Sequence, residues 1–275
     1  MRRFVPIALT VLELTRAGGS QPPASMKDAP VPAVADISCG AVVDVAHGNA
    51  ELLLFDDLAR LKKQQKKPVF QPQISVWEPA VWKPGTRLRV TFLDGDVVTR
   101  DFVMNVAKEW LVGLNLSMTA SSDATAEVRV TFAGNGVWSK IGRTAQSVAV
   151  GQPTMGLAGL LTTSDASLRR AYVLHEFGHA LGALHEHQRR DAPLTWKRDV
   201  VHAYYLNLYG WSGAQVDAQV ILPFQHQDVA SSPKFDRMSV MMYPVHKEFT
   251  EEGFVQSWNS QLTTWDRTIV ASLYR

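Results

Sequence analysis

Apolar residues recur along this chain at two spacings, and the changes of spacing mark its elements. Between residues 50 and 63, Leu52, Leu53, Phe55, Leu58 and Leu61 return every three to four positions, which predicts an amphipathic helix. Pro68, Pro72 and Pro79 then punctuate the sequence, and the main domain is expected to start near Gln73 and run to residue 275. There the spacing falls to two: RLRVTFL (87–93) alternates in the manner of a half-buried strand. Asp94-Gly95 reads as a two-residue hairpin turn, with DVVTRDFV (96–103) as the returning strand. Helical spacing resumes at Phe102, Val103, Val106, Trp110 and Leu111, before a further strand, EVRVTF (127–132). Gly134, Gly136 and Gly142 break up the next stretch, and QSVAVG (146–151) reads as the last strand. A helix is expected to open at Ser164 or Asp165, both good N-caps, and to run through SLRRAYVLHEFGHALG. Strands interleaved with helices in this order imply an α+β domain, a mixed twisted sheet with helices packed on it.

Composition narrows the class. With 46% apolar and 20% charged residues over 275 positions, the chain can bury a core of its own. A net charge of +2 is too small for a nucleic-acid footprint, and the densest basic run, KKQQKK (62–67), reads as a solvated helix end. Cys39 has no partner, so no intramolecular disulfide staples the fold. Residues 1–20 have the order of parts of a secretory signal: Arg2 and Arg3, a short apolar stretch, then small residues. That stretch is interrupted by Pro6 and Glu13 and is too short to span a bilayer. Residues 21–72 are assigned to a linker and prosegment, and the location expected is secreted, periplasmic or envelope.

The chemistry concentrates in HEFGHALGALHEH (175–187), which holds four of the eight histidines. On a helix, residues four apart share a face, so His175 and His179 bring two imidazoles to one point. Glu176 stands beside that point, placed to work on water activated by a metal. His185 can reach the same metal only if the chain turns, and Gly182 sits where such a turn needs a residue tolerant of positive φ. The full HExxHxxGxxH string arises by chance on the order of once in a hundred thousand such sequences. Three neutral imidazoles leave a fourth coordination position open, the arrangement of one catalytic zinc ion. His187 is expected beside the site or exposed; His47, His202, His226 and His246 carry no motif.

These residues resemble the metzincin clan of zinc endopeptidases, and Glu186, directly after the third histidine, is similar to the astacin branch. SVMMYP (239–244) looks like the methionine turn of that clan: an astacin-like alignment makes Met241 the turn residue and Tyr243 the tyrosine that can reach the metal or the transition state. A matrixin-like alignment makes the turn residue Met242. Looser similarity to astacin-like bacterial metalloproteases extends from Trp77 to the C-terminus, through WKPGTRLRVTFLDGD, KEW, GVWSKIG, PTMGL and LTTWDRTIVASLY. The disulfides and aspartate-bearing prosegment of animal astacins are not visible here. SCGAVVD, around Cys39, only faintly resembles a cysteine switch, lacking its Arg and Pro-Asp.

The resemblance implies a zincin-like (metzincin) catalytic domain and a zinc metalloendopeptidase that hydrolyses peptide bonds with Glu176 as general base. It also implies a polypeptide substrate bound extended and antiparallel to an edge strand, for which 146–151 is the candidate. The counterpart of Glu186 contacts the mature N-terminus in astacins. Two other readings stay open from the sequence: a zinc-binding protein of the same fold without turnover, and a hydrolase acting on cell-wall peptides.

Overall fold

The computed structural model describes residues 75–224 and 233–275, with the backbone of 229–230. The expected signal, linker and helix over 50–63, with Cys39, His47 and His226, lie outside the described residues. In chain order the strands and α-helices begin with β1 (Val76–Trp77), β2 (Arg87–Phe92), α1 (Val97–Ala107), β3 (Ser117–Ser121) and β4 (Val128–Thr131). They continue with β5 (Val137–Ser139), β6 (Met155–Leu157), α2 (Ala166–Ala180), α3 (Arg198–Tyr209), α4 (Gly213–Val216), β7 (Val229–Ala230) and α5 (Thr264–Leu273). A π-helical turn, Asp217–Ile221, directly follows α4.

Five strands form one sheet in the order β3-β2-β4-β6-β5. β2, β3, β4 and β6 are parallel, and β5 closes one edge antiparallel to β6. This is the mixed sheet with helices that the alternation of patterns implied. β2 and β3 are parallel neighbours, a pairing that needs a crossover, and α1 supplies it. α1 buries Thr99, Val103, Met104, Val106 and Ala107, a stripe at helical spacing, and packs on α2.

The crossover corrects the hairpin expected at Asp94-Gly95. Asp94 turns its carboxylate inward to accept from Thr131 Oγ (2.5 Å) and Phe132 N (2.6 Å), while Asp96 accepts from Thr99 N (2.9 Å) and caps α1. Residues 96–103 are therefore a cap and the first turns of a helix, with Val97 and Val98 facing solvent. A second correction concerns 146–151. Residues up to Ser147 belong to a 3-10 helix over Gly142–Ser147, and the carbonyls of Val148 and Ala149 accept from the Arg129 guanidinium and not from a strand. The strands at that edge of the sheet are β5 and β6, and β3 is a strand the spacing did not disclose.

Gly142 shows how tightly this edge is fitted. Its φ is +48°, and a Cβ there would overlap the Ala80 carbonyl oxygen, a backbone atom that cannot swing aside. Gly142→Ala is expected to destabilise the protein by about 3 kcal/mol, through strain and overpacking together. A urea midpoint that does not fall in the alanine variant would refute that fit.

Candidate metal centre

α2 is the central helix. Asp165 caps it, accepting from Ser167 N (2.8 Å) and Leu168 N (3.2 Å), and every residue from 171 to 180 is buried. A helix buried all round must be covered on all sides. β5, β6 and α1 cover part of it, and the Tyr172 and Phe177 rings join the main core. Its last carbonyls are satisfied by distant side chains: the Trp82 indole donates to Ala180 O (2.8 Å) and the Tyr274 hydroxyl to Leu181 O (2.8 Å).

The helix ends where the motif requires. Gly182 takes φ +97° and donates to His179 O (2.8 Å), and Ala183 N donates to Gly178 O (2.9 Å), the paired bonds of a Schellman end. β1 then lies along the outgoing chain, with Trp77 N bonded to Gly182 O (3.1 Å) and Leu184 N to Ser75 O (2.7 Å). This turn carries His185 back over the helix.

His175, His179 and His185 come together with ligand atoms all within 4.8 Å of one another, the only such group among the described residues. All three are buried. His175 Nδ1 donates to Val240 O (2.7 Å), His179 Nδ1 to Ala183 O (2.7 Å) and His185 Nδ1 to Gln188 Oε1 (3.0 Å). An acceptor at each Nδ1 fixes the proton there, so each Nε2 presents a bare lone pair. His179 Nε2 and His185 Nε2 stand 3.0 Å apart with no proton between them, and His175 Nε2 is buried without a hydrogen-bond partner. Three converging lone pairs repel one another unless a cation lies among them, and all-nitrogen donors suit zinc. Burial holds the three imidazoles neutral, with His179 lowered to about 4 and His175 and His185 well below their ordinary value. Neutral imidazole is the form that binds a metal.

Glu176 is fully buried beside this group. Tyr243 is likewise buried, its ring 4.3 Å from that of His185 and 5.7 Å from that of His175. The 239–244 segment runs beneath the helix. A Cβ on Gly178 would strike the Met241 sulfur, so a glycine between His175 and His179 lets Met241 lie against the helix floor. The Met241 carbonyl accepts from Glu186 N (2.9 Å), tying the turn to the residue after His185. Met242 is also buried, but the contact at Gly178 belongs to Met241.

Asp266 and Trp258 carried no site signal in the sequence. Asp266, buried on α5, accepts from Ser239 Oγ (2.6 Å), Val240 N (3.2 Å) and Thr263 N (2.8 Å). It thus pins the segment whose Val240 carbonyl orients His175, and burial lifts its pKa to about 6. Trp258 sets its ring edge-on to His175 at 5.2 Å. His187 is buried, stacking on His185 (5.0 Å) and tilted against Tyr243 (4.4 Å). Glu186 is fully buried, accepts from Asp236 N (2.7 Å), and desolvation pushes its pKa to about 8. His202 and His246 lie elsewhere, bonded to Asp217 and Tyr204.

A three-histidine centre on a buried helix, with a carboxylate beside it and a methionine turn below, defines a metzincin zinc metallopeptidase. The model of the Astacin peptidase family matches residues 96–269, and the chain belongs to that family. Two structures of myroilysin are 30% identical to it. One covers 73% of this chain and 98% of its own with TM-score 0.66; the other covers 71% and 86% with TM-score 0.53. High choriolytic enzyme 1, a hatching enzyme zinc-protease from the medaka fish Oryzias latipes, is 13% identical over 76% of this chain and 98% of its own, with TM-score 0.50, and shares the fold. No curated protein sequence matches the chain. The protein is a zinc metalloendopeptidase with polypeptide substrates. No helix among the described residues is long and apolar enough to cross a membrane.

Proposed function

We propose that His175, His179 and His185 hold the catalytic zinc, that Glu176 is the general base and acid, and that Tyr243 donates to the oxyanion. The convergence of three Nδ1-anchored imidazoles on one point carries this reading. When bound, zinc supplies Lewis acidity to water and to the scissile carbonyl. Glu176 takes a proton from the attacking water on its carboxylate and returns it to the leaving amine nitrogen as the C–N bond breaks. The Tyr243 hydroxyl donates to the oxygen that gains negative charge, and Met241 and Asp266 hold the turn that carries this tyrosine. The substrate lies extended along β5, which is the antiparallel edge of the sheet. Strand β5 takes the place of 146–151 in this role. Residues 73–275 form the catalytic domain, 21–72 a prosegment and 1–20 an export signal, so the enzyme acts outside the cytoplasm.

Tyr243→Phe tests the oxyanion role. Losing one preorganised donor is expected to lower kcat about 10²-fold with little change in KM or in zinc content. A phenylalanine variant with unchanged kcat would remove Tyr243 from the mechanism.

A further inference from the structure

We infer that Gln188 is a positioning residue of the metal centre, holding His185 in its ligating orientation against the π-helical turn Asp217–Ile221. The inference rests on His185 being a zinc ligand.

The Gln188 amide is buried and uses both ends. Its Nε2 donates to Ala218 O (2.6 Å) and Leu222 O (3.0 Å), and its Oε1 accepts from His185 Nδ1 (3.0 Å). Two carbonyl partners fix the amino group on the π-turn side, so the amide oxygen must face the imidazole. Only the Nδ1–H tautomer of His185 can then satisfy it, and that tautomer leaves Nε2 free for the metal.

His185 differs in this from the other two ligands. His175 and His179 donate to main-chain carbonyls, of Val240 and Ala183. His185 Nδ1 donates instead to a side chain, and that side chain is itself held by a single turn. The turn is closed by an i→i+5 bond, Leu222 N to Asp217 O (2.8 Å), a pattern that is rare and concentrated at functional sites. A capping box at Ser212 and Gln215 starts the segment, and Arg198 and His202 grip the Asp217 carboxylate at 2.6 and 2.7 Å. The same turn braces His187, whose Nε2 lies 3.3 Å from Gln219 O and whose ring packs on both His185 and Tyr243. One short segment therefore supports the third ligand directly and the tyrosine through its neighbour.

The test measures zinc affinity of the full chain by competition with a chromophoric chelator, alongside the thermal midpoint and the visible spectrum of the cobalt-substituted protein. Q188L removes the acceptor and the donors together, and zinc binding is expected to weaken 10- to 100-fold with a shifted cobalt spectrum. Q188E keeps an oxygen facing Nδ1 but sets a carboxylate against the Ala218 and Leu222 carbonyls. It is expected to lower the thermal midpoint while binding zinc within threefold of wild type. Affinity that follows the acceptor and not the midpoint supports positioning. A folded Q188L that binds zinc within threefold of wild type, or a Q188E that binds as weakly as Q188L, would overturn it. If Q188L does not fold, nitrogen-15 spectra of the zinc-loaded wild type decide, because a His185 Nδ1 proton exchanging as fast as that of an exposed imidazole has no buried acceptor. H185A with wild-type zinc affinity would instead sink the ligand assignment itself.

Discussion

Glu176→Gln is expected to bind one zinc ion as tightly as the wild type and to cut unfolded casein at least ~10³-fold more slowly. Glutamine fills the same buried space beside His175, and the bonds that orient the three imidazoles come from Val240, Ala183 and Gln188, none of which the substitution touches. The variant lacks a group able to take a proton from water and hand it to the leaving amine, and acid–base roles of this kind are worth ~10² to 10⁴ each. The loss should appear in kcat, since the amide is isosteric and the β5 edge is distant in sequence and unchanged. A variant within tenfold of wild type would show that another group moves the proton. If the zinc-loaded wild type is itself silent, removing residues 1–72 should release its activity while leaving the glutamine variant inactive.

The three-histidine cluster was legible in the sequence because its geometry is local. A four-residue spacing on a helix, a glycine at a helix end and a third histidine three residues on are constraints that a single short stretch can express by itself, and Gly182 adopts the positive φ they demand. The strand over 87–92, the long helix and its Asp165 cap were legible for the same reason. DGD at 94–96 misled because the chemistry of a turn does not specify the element after it. Asp-Gly suits a hairpin, but here Asp94 bonds to residues at the end of β4 and Asp96 caps a helix, and the partner atoms on Thr131 and Phe132 are remote in sequence.

The supporting residues were illegible for the converse reason. Asp266, Gln188 and Tyr274 act on main-chain or side-chain atoms brought near by folding: Asp266 on the 239–240 turn, Gln188 on the π-turn and Tyr274 on the end of α2. Nothing in LTTWDRT marks its aspartate as the anchor of a segment 26 residues earlier. The edge strand was misplaced because the alternation at 146–151 resembles a strand as well as Val137–Ser139 does. Which of them pairs is decided by Arg129, whose guanidinium takes the carbonyls that a strand would have needed.

The metal-free protein should be most stable near pH ~7 and weaken on both sides, for reasons that lie in the same buried groups. Four histidines have folded pKa values below the 6.5 they regain on unfolding: His179 at about 4, His187 at about 3, and His175 and His185 held well down by burial beside like neighbours. As pH falls through 6.5, the unfolded chain takes up protons at these positions and the folded one does not, so their contribution is full above that value and is lost on acidification. Two carboxylates act in the opposite sense. Asp266, at about 6, and Glu186, at about 8, stay protonated in the folded state at pH values where the unfolded chain has released those protons, so their contribution is lost as pH rises through those values. Around pH ~5 the four histidines outnumber and outweigh the two acids, so stability falls on acidification. Between pH ~7 and ~8 Glu186 outweighs the residual histidine difference, and the decline is shallow. Urea midpoints of the chelator-treated protein from pH ~5 to ~8 should trace this asymmetric dome, and Glu186→Gln should flatten its alkaline limb. Zinc should extend stability on the acid side, because a bound cation keeps three of the four imidazoles unprotonated until protons displace it. A metal-free midpoint that is level or rises from pH ~7 to ~5 would mean that the four imidazoles are hydrated in the folded metal-free protein and not held neutral by burial.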